Sequence, residues 1–149
     1  MPNEDAIECT LILRRIYNAP IARVWRAWTD AVELGKWYVA GSDHVVHFAE
    51  ADVRVGGTYR VGFGPPGTTP YIETGRYTEI VPMERLAFAE SVSLNGEVMQ
   101  GTSNIVKLRD LGEGRTELVL TCTGENSWRS GEGWTPCLQS LATYLAHSA

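Results

Sequence analysis

The chain has 149 residues, of which 44% are hydrophobic and 21% charged, and this length and composition predict one globular domain spanning residues 1–149. Its 13 Lys and Arg against 18 Asp and Glu give a net charge of −5, which disfavours nucleic acid and anionic membrane surfaces as partners. No apolar run approaches the roughly 20 residues that a membrane-spanning helix needs.

The chain up to Trp37 predicts one strand and two short helices. Residues 7–17 are rich in β-branched and aliphatic side chains, which favours a strand. Pro20 suits the start of a helix, because its missing N–H would have no partner there. The apolar side chains that follow share one helix face and are Ile21, Val24, Trp25 and Trp28. Asp30 and Glu33 resemble a capping box and predict a second short helix.

Beyond Trp37 the apolar pattern changes to that of strands. Further strands are predicted at residues 43–51, 58–63, 71–81, 86–94, 102–108 and 116–123. Gly56-Gly57 predicts a tight hairpin, because glycine readily adopts the positive φ angles of such turns. Asn95-Gly96 is a strong two-residue hairpin signal. Short turns of this kind imply an antiparallel meander.

The last segment has helical periodicity. From about Trp134 the apolar side chains recur at Leu138, Leu141 and Leu145, and a start near Ser130 is the alternative, with Pro136 early in the helix. This stripe is expected to cover the apolar face of the sheet. A twisted sheet around one long helix leaves space between them, and a ligand site is expected there.

Cysteine usage and the first residues indicate the compartment. The N-terminus is acidic and polar, without the basic start and apolar stretch of a secretory signal. Cys9, Cys122 and Cys137 are an odd number of widely spaced cysteines without a CxxC motif, which is typical of reduced thiols. We therefore expect a cytoplasmic protein.

Four strings along the chain match one family pattern. Residues 18–30 resemble an "AP-x-x-x-VW-x-A-x-TD" opening, and residues 52–60 resemble a "D-x-R-x-GG-x-Y/W-R" hairpin. Residues 75–86 are similar to "G-x-Y-x-E-I-x-P-x-E-R-L", and Gly133-Trp134 matches the entry of a terminal helix. In this order, the strings resemble the START-like, or polyketide-cyclase-like (SRPBCC), superfamily. The branch that they resemble is the C-terminal domain of the activator of the heat-shock protein 90 ATPase.

The resemblance implies an α+β helix-grip fold. In this fold a curved seven-stranded antiparallel sheet wraps around a long C-terminal helix and encloses a cavity, with two short helices after the first strand. The resemblance implies less about activity, since members of the superfamily bind lipids and plant hormones, cyclise polyketides, sequester reactive compounds or assist a chaperone. The matched positions are mostly turns and packing positions, which carry fold and not chemistry.

Aromatic and aliphatic side chains on the elements expected to face the enclosed space are the candidate ligand-binding residues. They are Trp37, Phe48, Tyr59, Phe63, Tyr77, Phe88, Trp134, Leu138 and Leu141. Tyr and Trp combine an apolar body with a polar tip that needs a partner when buried. A wall of this composition suits a flat, mostly apolar small molecule with one or two polar groups; packing within the core is the alternative role for each residue.

Charged residues on the same predicted strands are candidates for the polar part of such a site. These are Arg15, Glu73, Arg76 and Glu90. A carboxyl group in an apolar cavity has a raised pKa and can act as an acid or a base. Exposed positions are the commoner outcome for strand charges.

Other common site types have no support in the sequence. His44 and His47 are three residues apart on a predicted strand and would point to opposite faces, so no metal site is expected. Residues 62–67 contain GxG but lack the helix and third glycine of a dinucleotide site, and we expect no cofactor.

The leading hypothesis is therefore a small-molecule-binding domain with its ligand between the sheet and the terminal helix. Two alternatives stay open, a cavity enzyme of cyclase or hydrolase type and a chaperone-associated interaction module. A homodimer also stays open. A buried carboxylate beside an aromatic wall would favour the enzyme, and a large exposed apolar patch would favour the interaction module.

Overall fold

A computed structural model describes residues 8–125 and 130–147 of the chain. It contains seven strands and three helices in these residues: β1 (Glu8–Tyr17), α1 (Ile21–Thr29), α2 (Ala31–Trp37), β2 (Val45–Ala51), β3 (Thr58–Gly64), β4 (Tyr71–Val81), β5 (Arg85–Leu94), β6 (Glu97–Gly112), β7 (Arg115–Glu125) and α3 (Ser130–His147). Each strand predicted from the sequence is present, and β6 extends well beyond the predicted residues 102–108. The first residue of the predicted β1, Ile7, lies outside the described residues.

The strands form one antiparallel sheet in the order β1-β7-β6-β5-β4-β3-β2. From β2 to β7 neighbours in the chain are neighbours in the sheet, as short hairpin connections dictate. β1 joins the far edge beside β7, and α1 and α2 connect it to β2 at the opposite edge. With α3 on the concave face, this is the predicted helix-grip fold.

Asp30 begins α2 as predicted, but it does not form a complete capping box. Its side chain accepts hydrogen bonds from the backbone N–H groups of Val32 and Glu33. The Glu33 side chain turns away from the cap and pairs with Arg26, at 2.6 Å, and with the Tyr144 hydroxyl of α3, at 2.9 Å. The second half of the predicted capping box is therefore replaced by a link between α2 and α3.

The Gly56-Gly57 prediction of a tight hairpin was wrong in its geometry. Residues 52–57 form a longer connection between β2 and β3, and only Gly56 has a positive φ, of 83°. Gly57 is required for a different reason, because a Cβ there would collide with the backbone carbonyl of Asp52. The backbone of these glycines also pairs with Tyr77 of β4, which secures the connection to the sheet.

Helix α3 begins at Ser130, so the alternative start is correct and the start near Trp134 is wrong. Pro136 lies inside the helix, where it removes one N–H donor. Leu138 and Leu141 are fully buried against the sheet. The buried Tyr17 hydroxyl of β1 donates to the Leu138 carbonyl at 3.1 Å, which ties the helix to the first strand.

Candidate functional site

The strand register brings one polar set of side chains together on the inner face of the sheet. Tyr59 pairs with Gly75, Gly75 with Glu90, and Glu90 with Thr102, and these four residues are called the polar row below. Glu73 lies two positions before Gly75 on β4, so its side chain points to the same face. Residues from four strands thus converge under α2 and α3.

Gly75 makes room for the convergence. A Cβ at this position would collide with the ring of Tyr59, which therefore lies directly over the glycine backbone. Lying across β4 in this way, Tyr59 brings its hydroxyl to the Glu73 carboxyl at 2.5 Å. The absence of a side chain at Gly75 is thus a condition for the contact between Tyr59 and Glu73.

Glu73 is a buried carboxyl group held by two tyrosines. Its Oε2 atom accepts hydrogen bonds from the hydroxyls of Tyr38, at 2.6 Å, and Tyr59, at 2.5 Å, and the residue is only 5% exposed. Burial, and next the neighbouring charge of Glu90, raise the pKa of Glu73 well above its ordinary value. Burial also raises the pKa of both tyrosines, so that they remain donors.

Glu90 ends a short hydrogen-bond chain on β5 and β6. The Asn104 amide nitrogen donates to the Thr102 hydroxyl at 3.1 Å, and Thr102 donates to Oε1 of Glu90 at 2.7 Å. These hydrogen bonds leave two buried oxygens, Oε2 of Glu90 and Oδ1 of Asn104, without a hydrogen-bond partner among the described residues. Burial raises the pKa of Glu90, and the hydrogen bond from Thr102 opposes this rise.

Glu73 and Glu90, called the carboxyl pair below, lie on the neighbouring strands β4 and β5, close enough that the charge of Glu90 raises the pKa of Glu73. In the part of the chain that the structure describes, they have no ion pair with Lys, Arg or His. Arg15 shares the inner face but donates to the Arg14 carbonyl, and Arg76 is exposed on the outer face. The structure therefore brings together the two predicted carboxylates and neither of the predicted arginines.

Four aromatic rings contact one another in a closed circuit beside Glu73 and are called the aromatic quartet below: Tyr38, Tyr59, Phe88 and Trp134. Going round the quartet, successive ring centroids are 6.5, 5.7, 6.3 and 5.8 Å apart. In three of these contacts the angle between the ring planes is 68° to 85°, the edge-on geometry that aromatic pairs favour. Two members of the quartet, Tyr38 and Tyr59, are also the hydrogen-bond donors to Glu73.

A small cavity adjoins the quartet. Its volume is about 10 Å³, close to the least that one water molecule needs. Its walls are Trp28, Leu34, Tyr38, Tyr59, Tyr77, Leu86 and Phe88. The indole N–H of Trp28 is buried and has no hydrogen-bond partner within the described residues. The part of the concave interior around this cavity is thus largely filled by the protein's own side chains.

The predicted ligand-binding residues fall into three groups. Tyr59, Tyr77 and Phe88 line the cavity. Trp37, Trp134, Leu138 and Leu141 are buried in the same core but do not line it, and Phe63 packs beside His44 and Tyr71.

Phe48 is the one predicted ligand-binding residue on the other face of the sheet, which it shares with Arg76. Its register partner is Gly62, whereas the inner-face residues Val61 and Phe63 pair with Ala49 and Val46. A bulge between Val46 and Phe48 sets this orientation, and Phe48 lies over Gly62, close to the Arg60 guanidinium. Phe48 therefore does not join the inner cluster.

Sequence reasoning missed three residues of the site: Tyr38, Thr102 and Asn104. Thr102 and Asn104 alternate along a predicted strand, which is a signal that they share a face. Tyr38 directly follows the predicted ligand-binding residue Trp37, but no periodicity shows that its hydroxyl reaches β4.

Known proteins resemble this chain in sequence and in fold. Residues 18–146 match the family described as Activator of Hsp90 ATPase homolog 1-like protein. The chain belongs to this family. The match confirms the branch of the START-like superfamily that the sequence strings resemble.

Solved structures support the same fold for this Activator of Hsp90 ATPase homolog 1-like chain. A protein from Rhizobium leguminosarum is 25% identical, with a TM-score of 0.82 over 97% of this chain and 98% of that one. An AHSA1-like protein from Aeromonas hydrophila has 22% identity and a TM-score of 0.78, covering 93% and 92% of the chains. CalU16 from Micromonospora echinospora has 20% identity and a TM-score of 0.66, covering 96% and 86%.

Two further observations concern this chain. A search of curated proteins gave no match. Among the described residues, no helix has the length and apolar character to cross a membrane.

Proposed function

We propose that the protein binds a small, mostly apolar molecule in the concave interior between the sheet and α3. The observation that carries the proposal is an aromatic-walled cavity that includes Trp28, whose buried indole N–H has no hydrogen-bond partner among the described residues. Two further buried atoms of the inner face, Glu90 Oε2 and Asn104 Oδ1, also have no partner there. An apolar wall with a few convergent polar groups is the usual composition of a small-molecule site. Purely structural cores seldom leave such atoms unsatisfied.

The size of the cavity determines how binding takes place. A space of about 10 Å³ is far smaller than a typical ligand pocket of about 300–1,000 Å³. A ligand must therefore displace side chains of the wall as it enters. Ring side chains held mainly by packing, such as Phe88 and Trp134, can move without breaking a hydrogen bond seen in the described residues.

The test is titration with benzyl alcohol, a neutral aromatic probe, followed by tryptophan fluorescence and amide NMR shifts. We expect a saturable response, with shifts centred on Tyr59, Tyr77 and Phe88. Leu86→Phe fills part of the cavity and should abolish the response, whereas Val32→Phe, on the exposed face of α2, should retain it.

Two results would reject the binding proposal. One is a wild-type protein that gives no saturable response to benzyl alcohol. The other is a folded Leu86→Phe variant that binds the probe as the wild type does. Native mass spectrometry of freshly purified wild-type protein adds a readout that does not depend on the variants, because a retained small molecule appears as added mass.

A cavity enzyme is the second candidate function, and the carboxyl pair favours it. Two adjacent buried carboxyl groups cannot both ionise easily, so one remains protonated as an acid while the other is available as a base. A panel of aryl esters and cyclisable polyketide analogues tests this candidate. Turnover that is lost in Glu90→Gln and kept in the exposed control Glu97→Gln supports catalysis, and no turnover by the wild type counts against it.

The interaction-module alternative has less support. The large apolar side chains that are exposed lie on separate elements: Ile12 and Ile16 on β1, Val32 on α2, Val45 on β2, Val55 and Met83 in connections, and Val98 on β6. Scattered exposed apolar residues are normal for a protein surface, and a docking site is marked by a contiguous patch.

A further inference from the structure

We propose that the bound molecule carries a protonated primary amine, which the carboxyl pair and Asn104 bind while the aromatic quartet surrounds it. This inference rests on the proposed function and names the chemical class of the ligand. It starts from the two buried oxygens that have no partner among the described residues, Oε2 of Glu90 and Oδ1 of Asn104.

Both unpartnered atoms are hydrogen-bond acceptors, so the missing group is a donor. Asn104 is 1% exposed and Glu90 is 8% exposed, so bulk water does not satisfy them. The Asn104 amide nitrogen donates to Thr102 and the Thr102 hydroxyl donates to Oε1 of Glu90, and neither donor reaches the two unpartnered oxygens. A ligand group with at least two donors would satisfy both oxygens.

Charge then distinguishes among such donors. The carboxyl pair holds two acidic groups on neighbouring strands, and no cationic side chain from the described residues pairs with them. A single proton shared between the two carboxyls would satisfy Glu90 but would leave Asn104 Oδ1 without a donor. A primary ammonium supplies three donors and one positive charge, which matches both requirements.

The aromatic quartet adds a third feature that suits a cation. Ring faces attract an ammonium group through their negative quadrupole, and the effect is larger where water is excluded. Trp134 and Phe88 are 5% and 3% exposed, and their polar neighbours are the two tyrosines that donate to Glu73. An aromatic wall with a carboxylate at its base is thus complementary to an amine on an apolar body.

Binding of the amine should release a proton. In the free protein, burial and mutual repulsion keep a proton on the carboxyl pair. The groups that face the pair are Tyr38, Tyr59 and Tyr77, and the Cys137 thiol of α3, and burial keeps all of them neutral by raising their pKa values. The incoming ammonium replaces that proton, which passes to solvent, so the exchange is one proton released for each cation bound.

The experiment compares benzylamine, benzyl alcohol and benzoate, which share one ring and differ in the charge of the attached group. Benzylamine should bind at least about tenfold more tightly than benzyl alcohol near pH 8, and benzoate should bind least. The Kd of benzylamine should fall as the pH rises through the raised pKa of the carboxyl pair, by at most about tenfold per pH unit, because one proton is exchanged. The Kd of benzyl alcohol should not fall with rising pH.

Variants and calorimetry separate the charge effect from a folding effect. Glu90→Gln should remove the preference for benzylamine over benzyl alcohol, and Glu97→Gln, exposed at the start of β6, should keep the preference. If Glu90→Gln does not fold, calorimetry of the wild type in two buffers of different ionisation enthalpy still counts the released protons.

The outcomes keep this inference apart from the proposed function. If benzyl alcohol binds as tightly as benzylamine, or if no proton is released, the amine inference is overturned while apolar binding stands. If none of the three probes binds, the proposed function itself is overturned. If the preference for benzylamine survives in folded Glu90→Gln, the carboxyl pair is not its cause.

Discussion

Two rows on the inner face of the same sheet differ in chemistry. The apolar row crosses the sheet through Leu86, Val106 and Leu120, each at most 1% exposed. The polar row crosses the same strands nearby through Glu90 and Thr102, which are nearly as deeply buried, at 8% and 6%. The two rows share one backbone geometry. The side chains of the apolar row need only packing contacts when buried, whereas those of the polar row also need hydrogen-bond partners.

The comparison indicates which row is built for stability. Apolar side chains gain free energy from burial without further conditions, whereas a buried carboxyl costs free energy unless its oxygens are paired. The polar row keeps Glu90 Oε2 and the adjacent Asn104 Oδ1 unpaired in the described structure. Stability alone gives no reason for such an arrangement, which is why the proposed binding site is placed there.

The largest effect is expected in the apolar row. Leu120→Ala removes a fully buried side chain and should lower the free energy of unfolding by about 2–5 kcal/mol, through lost burial and the cavity left behind. Urea denaturation measures the change. Thr121→Ala, the next residue on the outer face, is the matched control and should change stability much less. Equal losses for the two variants would contradict the assignment of Leu120 to the core.

Gly75→Ala tests the packing of the polar row. The added Cβ collides with the Tyr59 ring, so we expect a loss of about 1–3 kcal/mol from overpacking. The displaced Tyr59 hydroxyl should also lose its contact with Glu73, visible as a changed tyrosine ultraviolet spectrum. The neighbouring exposed residue offers the control Thr74→Ala. A Gly75→Ala variant as stable as Thr74→Ala would show that Tyr59 does not lie over the glycine.

The cost of burying the Glu73 carboxyl beside the polar row should appear as a pH dependence of the free energy of unfolding. Because the folded-state pKa of Glu73 is raised, the native state binds more protons than the unfolded state, so stability falls as pH rises above the ordinary pKa of a glutamate. Glu73→Gln lacks this cost. Its stability relative to the wild type should therefore rise with pH, by up to about 1.4 kcal/mol per pH unit.

Denaturation curves at several pH values measure this difference for Glu73→Gln. Glu50→Gln, exposed on β2, provides the comparison and should show no such trend. A Glu73→Gln variant whose stability relative to the wild type does not change between about pH 5 and about pH 8 would mean that the carboxyl is not desolvated.

The smallest effect is expected at the start of α2, the helix that positions Tyr38 beside Glu73. Asp30→Ala removes the hydrogen bonds to the first N–H groups of α2 and should cost about 1 kcal/mol. Asp30→Asn keeps an accepting oxygen and should lose less. Thermal denaturation of the two variants measures the stability that the Asp30 cap contributes. Identical melting temperatures would contradict a stabilising cap.

Much of the fold is predictable because local patterns agree with the tertiary structure. The strands have period-two or continuous apolar runs, α1 begins after Pro20, and the stripe of Leu138 and Leu141 lies on a helix. The errors concern contacts made outside the local sequence motif. Gly57 is constrained by the Asp52 carbonyl, and the Glu33 side chain is drawn away from its cap by Arg26 and Tyr144.

The candidate site was predictable only in part. Glu73 and Glu90 were identified as strand carboxylates, and Tyr59, Tyr77 and Phe88 as wall residues, since alternation predicts which side chains share a face of one strand. Alternation does not predict bulges. The irregularity between Val46 and Phe48 moves Phe48 to the outer face, and Arg76 shares that face although Glu73 on the same strand does not.

The sequence by itself determined the order of the elements, the family and the residue types available to the inner face, because these follow from periodicity, turn residues and local motifs. The tertiary structure alone decided that Glu73 and Glu90 lie on neighbouring strands of one face, that Tyr38 reaches Glu73 from the end of α2, and that aromatic rings line a small cavity beside them. These contacts join residues far apart in the chain. They depend on strand register and on the seating of α2 over the sheet, which no local pattern records.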